Sequence, residues 1–373
     1  MRIAILKERA AGESRVAATP ETVRKFSALG ASVAVEAGAG ASASIPDAAF
    51  ADAGAQVGPL AATIKDADIV LGVQAPELAS LKGAKPGAWV AATLDPFGQR
   101  ARVDEYAKGG FEALAMEFMP RITRAQSMDV LSSQSNLSGY KAVIAAADLY
   151  GRAFPMMMTA AGTITAARVF VMGVGVAGLQ AIATARRLGA QVSATDVRSA
   201  TKEQIESLGA KPVFVESVAG IEGEGSGGYA TEMSEEYQKA QAELVSSHIA
   251  KQDIVITTAL IPGRAAPRLV SDAQIASMKP GSVIFDLAVA QGGNVEGSAP
   301  DRVVEKHGVK IMGFSNTATH LAADASALYA RNLYNFLSAF WDKEQGKPVL
   351  DEEIGNAVRL TQDGKVVNER LLG

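Results

Sequence analysis

The chain has 373 residues, a formal net charge of −4 and no cysteine. This length favours about two domains, at roughly 100–200 residues per domain, and an acidic chain without a basic cluster argues against a nucleic-acid partner. Without cysteine the chain has no disulfide framework, no thiolate metal site and no cysteine nucleophile, and no other pattern predicts a metal site.

Short apolar runs alternate with helical stretches from the first residues onward. The first strand, "RIAIL", precedes a helix with Thr19 as N-cap, Pro20 at its first position and Gly30 as C-cap. Further strands are predicted at "SVAVE", "DADIVLGV", "AWVAATL" and "FEALAMEFM". Such alternation predicts a mostly parallel sheet with helices on both faces.

The second half of the chain repeats this organisation. A polar loop is predicted from Pro120 to Tyr140, followed by the helix "GYKAVIAAADLYGRAF", and a new strand–helix series begins at Arg168. A long amphipathic helix and a hairpin around Asp363–Gly364 end the chain. We therefore expect two Rossmann-like, doubly wound parallel-sheet domains separated by a cleft, one comprising residues 1–132 plus 322–373 and the other residues 139–318.

A glycine-rich motif lies between a predicted strand and a predicted helix of the second domain. Gly173, Gly175 and Gly178 have G-x-G-x-x-G spacing, and the next strand ends in Asp196. Such glycines permit a tight turn, close approach of a pyrophosphate and close packing of helix on strand. Asp196 is expected to accept hydrogen bonds from ribose hydroxyls and to disfavour a 2′-phosphate. Arg198 argues in the opposite direction, but the carboxylate favours NAD(H).

Further cofactor contacts are predicted at the start of the helix and at the carboxyl ends of the strands, where open α/β sheets bind ligands. The segments concerned include "TTALIPG", "DLAVAQGGN" and "SNTATH". Beyond the glycines, Asp196 and Arg198, the predicted contacts are Val176, Ala177, Val197, Thr258, Ala259, Leu260, Asp286 and Asn294.

An acid–base catalyst is hard to find in this sequence. The chain has three histidines: His248 and His307 are interpreted as surface residues, and His320 begins a helix, where capping or packing is at least as good an explanation as catalysis. Hydride transfer between two nicotinamide rings needs no proton transfer at the reacting carbons, only rings held at about 3–3.5 Å. A loop with Arg, Gln, Asp and Ser suits that task.

Two blocks carry a family resemblance, "MPRITRAQSMDVLSSQSNLSGYKAV" and "FPMMMTAAGT". With them the chain resembles, along essentially its whole length, the NAD(H)-binding domain I of proton-translocating nicotinamide nucleotide transhydrogenase. The resemblance implies a homodimeric soluble subunit that binds NAD(H) and exchanges hydride with NADP(H) on a partner domain III. It also implies a membrane domain II that carries protons, and a peripheral position on the cytoplasmic side of an inner-membrane complex.

The same resemblance implies roles for particular residues. A polar loop positions the NAD(H) nicotinamide through Arg121, Gln126, Asp129 and Ser132, and Gln126 reaches toward the NADP(H) ring. A mobile lid in "GGYATEM" closes over the cofactor, which implies Tyr229 and Met233 as lid residues.

Two alternatives remain open. The segment "KERAAGESRVAATP" looks like the N-terminus of alanine dehydrogenase, in which an arginine at the position of Arg15 holds the substrate carboxylate. However, the catalytic lysine expected in "DIVLGVQAP", near Gly72, and the histidine expected near "VAATLDPFG" are both missing. The other alternative is a non-catalytic NAD-binding module.

Overall fold

The computed structural model describes residues 1–215, 235–261 and 263–372. It divides into two compact units, the first comprising Met1–Gln134 with Thr319–Gly373, and the second comprising Ser135–Ala318. Tyr229 and Met233, predicted as lid residues, lie outside the described residues. Within the described ranges, no helix combines the length and the apolar character needed to cross a bilayer.

The N-terminal part of the first unit alternates strands with short helices. Its strands are β1 (Arg2–Ile5), β2 (Ser32–Glu36), β3 (Gln56–Gly58), β4 (Ile69–Gln74), β5 (Trp89–Thr93) and β6 (Glu112–Ala115). Its helices are α1 (Pro20–Ala28), α2 (Asp47–Asp52), α3 (Leu60–Ile64) and α4 (Arg100–Lys108), with 3-10 turns at Ala41–Ala43, Leu78–Leu81, Met116–Phe118 and Thr123–Met128.

These six strands form one parallel sheet in the order β3-β2-β1-β4-β5-β6. This is the order of the doubly wound dinucleotide-binding fold, so the predicted fold class is confirmed. The predicted cap of α1 is also present, because the Thr19 side chain accepts from the Thr22 N–H and Pro20 is the first helical residue. Leu29 is the C-cap, and Gly30 follows it with φ 88°.

The polar stretch predicted as a loop up to Tyr140 is in fact helical from its middle onward. Helix α5 runs from Val130 to Leu149, and its first turn is capped by Asp129, whose Oδ1 accepts the Ser132 N–H at 3.0 Å. The prediction is wrong because serines and asparagines are weak helix formers on their own. An aspartate before the first turn satisfies free N–H groups and stabilises the helix start.

The second unit contains a second Rossmann-like sheet, in the order β11-β10-β9-β12-β13-β15-β14, with only β14 antiparallel to its neighbour. Its strands are β7 (Met157–Thr159), β8 (Gly162–Ile164), β9 (Arg168–Met172), β10 (Gln191–Thr195), β11 (Lys211–Pro212), β12 (Ile254–Thr257), β13 (Val283–Asp286), β14 (Val304–Lys306) and β15 (Val309–Met312). Its helices besides α5 are α6 (Val176–Arg187), α7 (Thr201–Ser207), α8 (Glu235–Ile249) and α9 (Asp272–Ser277), with a 3-10 turn at Val289–Gln291.

One histidine of this unit is not the simple surface residue that its polar surroundings predict. The Nε2 atom of His248 lies 2.8 Å from the Ser193 hydroxyl, and its ring packs edge-on against Phe170 with 4.7 Å between centroids. Burial lowers the pKa of His248 below its usual range, and Lys211 and Lys251 lower it further. The packing of α8 brings this side chain onto the sheet, which its polar neighbours in the sequence do not indicate.

After the second unit, the chain contributes further elements to the first. They are a 3-10 turn at Thr317–Leu321, α10 (Ala322–Ala339), β16 (Trp341–Asp342), β17 (Lys347–Pro348), α11 (Glu352–Val358), β18 (Thr361–Gln362), β19 (Lys365–Val366) and α12 (Glu369–Leu372). Helix α10 buries Tyr329, Leu333 and Phe336 in the core of the first unit, which confirms the predicted amphipathic helix. The predicted hairpin is also present, since β18 pairs antiparallel with β19.

A buried carboxyl group holds the end of β5 in the first unit. The Oε1 atom of Glu117 accepts the N–H groups of Leu94 at 2.8 Å and Asp95 at 2.6 Å. Its Oε2 atom is buried and has no hydrogen-bond partner among the described residues. Burial raises the pKa of Glu117 to about 7, against the lowering effect of these backbone hydrogen bonds.

This raised pKa predicts a pH-dependent stability that Glu117→Gln should reduce. Between pH 4.5, the usual value, and about 7, the unfolded chain releases this proton while the folded chain keeps it. The free energy of unfolding therefore falls as pH rises through that range, by roughly 3 kcal/mol for this group. Urea unfolding at pH 5 and pH 7.5 should show a smaller decrease for the glutamine variant, and equal decreases would contradict the burial argument.

Candidate functional site

The turn between β9 and α6 is built so that only glycine fits at two of its three motif positions. A Cβ atom on Gly178 would lie 1.9 Å from the Gly173 carbonyl oxygen, and one on Gly173 would lie 2.6 Å from the Thr258 hydroxyl. Gly173 also has φ 98°, which disfavours other residues. At Gly175, by contrast, a Cβ atom would meet nothing within 4 Å. The turn is therefore closed on the protein side and open at Gly175, where the helix N-terminus begins.

Asp196, at the end of β10, is tied to this turn by its own hydrogen bonds. Its Oδ2 atom accepts the Val174 N–H at 2.7 Å, and its Oδ1 atom accepts both the backbone N–H and the Nε–H of Arg198 at 2.9 Å. Burial favours a higher pKa for Asp196, but the hydrogen bonds from Arg198 and Val174 outweigh it and hold the pKa below its usual range. Asp196 is thus an ionised group that fixes both the glycine turn and the Arg198 side chain; Val197 is half-buried between them in the chain.

The loop after β12 contributes the third part of this site. The Thr258 hydroxyl donates to the Gly173 carbonyl at 2.9 Å, so this loop and the glycine turn are directly joined. Ala259 exchanges two hydrogen bonds with the Asn294 side chain, at 3.1 and 2.9 Å. Leu260 is 42% exposed at the end of the loop. The structure therefore brings the motif glycines, Asp196 and the segment 258–260 together within the second unit.

Asp286 and Asn294 belong to the same network but lie beneath the surface, both with 0% exposure. The Asp286 carboxylate accepts the N–H groups of Ala288 and Asn294 and the hydroxyl of Ser298, at 2.9, 3.2 and 2.7 Å. The Asn294 amide in turn donates to the Pro267 carbonyl at 2.8 Å. These two side chains therefore shape the loops at the strand ends.

The polar residues predicted to act on the nicotinamide occupy a short stretch of the first unit. Arg121 and Gln126 are exposed, whereas Asp129 and Ser132 are half-buried and bonded to each other, with 2.5 Å between Oδ2 and the hydroxyl. Gln126 lies within the 3-10 turn Thr123–Met128. The structure thus presents the Gln126 side chain to solvent on a short turn, with Asp129 and Ser132 forming the helix cap behind it.

A second polar cluster of the first unit surrounds Arg15, the residue that the alanine dehydrogenase alternative depends on. The Arg15 guanidinium is 7% exposed and pairs with Glu13 at 2.7 Å, while Gln134 accepts from its NH1 at 2.9 Å. From β4, the Gln74 amide donates to Glu13 at 2.8 Å, so Gln74, and not the position of Gly72, supplies the polar group nearest the pair. Burial favours a higher pKa for Glu13, but the hydrogen bond and charge of Arg15 outweigh it and hold the pKa below its usual range. The carboxylate is therefore committed to its ion pair.

The comparisons with known proteins agree with this architecture. The profile of the alanine dehydrogenase/PNT N-terminal domain matches residues 4–138, and that of the C-terminal domain matches residues 142–369. The chain belongs to the alanine dehydrogenase/PNT family.

Within the family, the similarity to transhydrogenase subunits is strong. The chain is 53% identical to the first of the proteins that make up NAD(P) transhydrogenase subunit alpha in Rhodospirillum rubrum, over 100% of this chain and 99% of that protein. A solved transhydrogenase from Sinorhizobium meliloti has 53% identity and a TM-score of 0.89, covering 98% of this chain and 100% of that one. Alanine dehydrogenase of Mycobacterium tuberculosis strain H37Rv is 31% identical over 80% of this chain and 76% of its own length. The resemblance drawn from the sequence is confirmed.

Proposed function

We propose that this protein is the NAD(H)-binding component of a proton-translocating transhydrogenase. The observation that carries the proposal is the glycine turn at β9–α6, which is closed by Thr258 and open at Gly175. An open turn at a helix N-terminus offers N–H groups and positive potential to a pyrophosphate. In that role the chain binds NAD(H), and its hydride passes to or from NADP(H) held by a partner domain.

The cofactor contacts that we infer follow from this turn. The pyrophosphate lies against the first turn of α6, and the adenosine ribose lies toward Asp196 and Arg198. The backbone of the segment 258–260 lines the remainder of the site. We infer that Asp286 and Asn294 contribute through the loops that they shape, and that Tyr229, outside the described residues, covers the bound nucleotide.

The segment from Arg121 to Ser132 positions the reacting nicotinamide. Hydride transfer between two nicotinamide rings involves no proton at the reacting carbons, so the protein must supply orientation and exclude water. Gln126, an exposed and uncharged hydrogen-bonding side chain, suits orientation and cannot act as a base near neutral pH. Asp129 and Ser132 support it by fixing the start of α5.

The partners in this proposal are a domain III that binds NADP(H), a membrane domain II that carries protons, and a second copy of this chain. Coupling between proton passage and hydride transfer is then a free energy shared between sites on different chains. The chain itself works as a peripheral subunit on the cytoplasmic side of an inner-membrane complex.

The homodimer is supported by one surface feature of the second unit. The β7–β8 hairpin carries Met156, Met157 and Met158 at 61, 40 and 79% exposure, together with Ile164 at 37%. Contiguous exposed apolar groups of this kind mark interaction surfaces in soluble proteins, and a second copy supplies an identical apolar hairpin.

The alanine dehydrogenase alternative receives no support from the chemistry of its expected site. Oxidation of an amino acid requires a group that takes or gives a proton. The Arg15 guanidinium, which would hold a substrate carboxylate, already pairs with Glu13 inside the protein, and Gln74 stands beside them.

Nucleotide preference should follow from the carboxylate of Asp196. We expect the chain to bind NADH more tightly than NADPH, because an ionised group at the ribose disfavours a 2′-phosphate. Asp196→Ala should weaken NADH binding, since the glycine turn loses the bond to Val174, and should narrow the gap between the two nucleotides. Calorimetric titration of both nucleotides measures this, and equal affinities in the unmodified chain would refute the preference.

Gln126→Asn tests the positioning role directly, because it keeps the amide and shortens its reach by one methylene. In a complex with a domain that binds NADP⁺, NADH affinity should change little while single-turnover hydride transfer slows, since a misplacement of about 1 Å can reduce a rate by roughly 10²-fold. The slow rate should be independent of pH near neutrality. A rate equal to that of the native complex would show that the turn does not position the ring.

The dimer should depend on the apolar hairpin. Met158→Asp places a charge on the most exposed of its methionines, so light scattering should show a shift from dimer to monomer. Gln204→Asp, an exposed position on α7, is the matched control and should leave the mass unchanged. An unmodified chain that is already monomeric, or a dimeric Met158→Asp variant, would argue against this interface.

A further inference from the structure

Two asparagines of α10 donate to the same backbone oxygen in the 3-10 turn that carries Gln126. The Nδ2 atom of Asn332 lies 2.8 Å from the Ser127 carbonyl oxygen, and that of Asn335 lies 3.0 Å from the same atom. Both lone pairs of the carbonyl are therefore engaged by one helix. A carbonyl oxygen with two donors has its peptide plane fixed in two directions.

Asn332 also holds the segment on the other side of this turn. It is 7% exposed, and its Oδ1 atom accepts the Ser133 hydroxyl at 2.7 Å in the first turn of α5. One buried amide thus uses its donor on the turn that precedes α5 and its acceptor on the helix itself. Between these two contacts lie Asp129 and Ser132, which cap the helix.

The turn has few other degrees of freedom. Ala125 and Met128, on either side of Gln126 and Ser127, are buried in the core of the first unit at 0 and 4% exposure. Arg124 forms ion pairs with Asp351 and Glu353 at the start of α11, at 2.5 and 2.6 Å. These pairs are exposed on both sides, so their contribution is small. The buried amide of Asn332 is therefore the strongest polar constraint on the peptide next to Gln126.

We propose that Asn332, assisted by Asn335, is a positioning residue for hydride transfer that sets the place of Gln126 through the Ser127 carbonyl. This inference rests on the proposed function of Gln126. Asn332 acts through the backbone and touches neither cofactor nor reacting atoms. Its loss leaves NADH binding, which depends on the glycine turn, in place and misaligns the amide that orients the ring.

Asn332→Asp is the sharpest test, because it retains an acceptor for Ser133 and replaces the donor to Ser127 by a carboxylate oxygen. In the full complex with NADP⁺ bound on the partner, single-turnover hydride transfer should fall by at least about tenfold, with NADH affinity changed by less than about twofold. Asn335→Ala removes the more exposed donor and should lower the rate in the same direction by less. Should Asn332→Asp fail to fold, Asn335→Ala still decides the matter.

Asn368→Asp is the matched control. Asn368 is 3% exposed and its amide donates to the carbonyls of Asn356, Ala357 and Arg359, so the same substitution breaks comparable buried hydrogen bonds elsewhere in the first unit. It should lower the melting temperature and leave the hydride-transfer rate unchanged. Equal loss of rate in Asn368→Asp and Asn332→Asp would show a general effect of stability and overturn the proposal.

A double-mutant cycle separates positioning through Gln126 from an independent effect. If Asn332 acts through Gln126, the variant that combines Gln126→Asn with Asn332→Asp should transfer hydride no more slowly than the slower single variant. Multiplying rate losses would refute the link. If the native complex transfers no hydride, the proposed function fails; if it does and the asparagine variants match it, only the present inference fails.

Discussion

The close contact between the Gly173 carbonyl and the Gly178 position is the constraint on which the candidate nucleotide site depends. A methyl group at Gly178 would approach that oxygen to 1.9 Å, so α6 can begin directly after β9 only if both positions lack side chains. The adjacent strand β12 then brings Thr258 to the same carbonyl at 2.9 Å. Because parallel strands end at one edge of the sheet, the turn, Asp196 and the loop after β12 meet there.

The two units share the order of their first five sheet strands but use the central turn differently. In the second unit three residues, 173–175, separate β9 from α6, whereas in the first unit fourteen, 6–19, separate β1 from α1. A short turn holds a helix N-terminus at the strand end, where phosphate binds. The long segment of the first unit instead carries the buried Glu13–Arg15 pair. The features that suit nucleotide binding therefore belong to the second sheet, although both sheets share this strand order.

Several carboxylates in this protein serve as acceptors for backbone N–H groups. Asp286 and Glu117 are buried at strand ends, Asp129 caps α5, and Asp196 holds the glycine turn. Groups committed to such bonds do not exchange protons readily with a substrate. This use of carboxylates is compatible with a reaction whose chemical step moves hydride alone, and it places the demand on orientation, to which Gln126 and its supporting turn respond.

Much of this could be predicted from the sequence because the signals are local. Alternating apolar runs determined both sheets, the spacing of Gly173, Gly175 and Gly178 together with the following strand indicated the nucleotide turn, and Thr19 with Pro20 marked the start of α1. Each of these depends on residues that are neighbours along the chain or across one strand–helix unit. The roles assigned to the individual site residues stay predictions, since cofactor contact depends on a bound nucleotide.

The tertiary structure alone decided which polar groups meet across long separations. Asn332 is more than 200 positions from Ser127 in the chain, and only the packing of α10 in the first unit brings its amide to that carbonyl. The helical start at Val130 and the partly buried His248 were missed for the same reason, since serine-rich and polar stretches acquire their structure from partners distant in sequence. Local composition determined the elements of this protein, whereas hydrogen bonds between distant segments decided how its polar side chains are used, because a polar group must be paired once packing removes it from water.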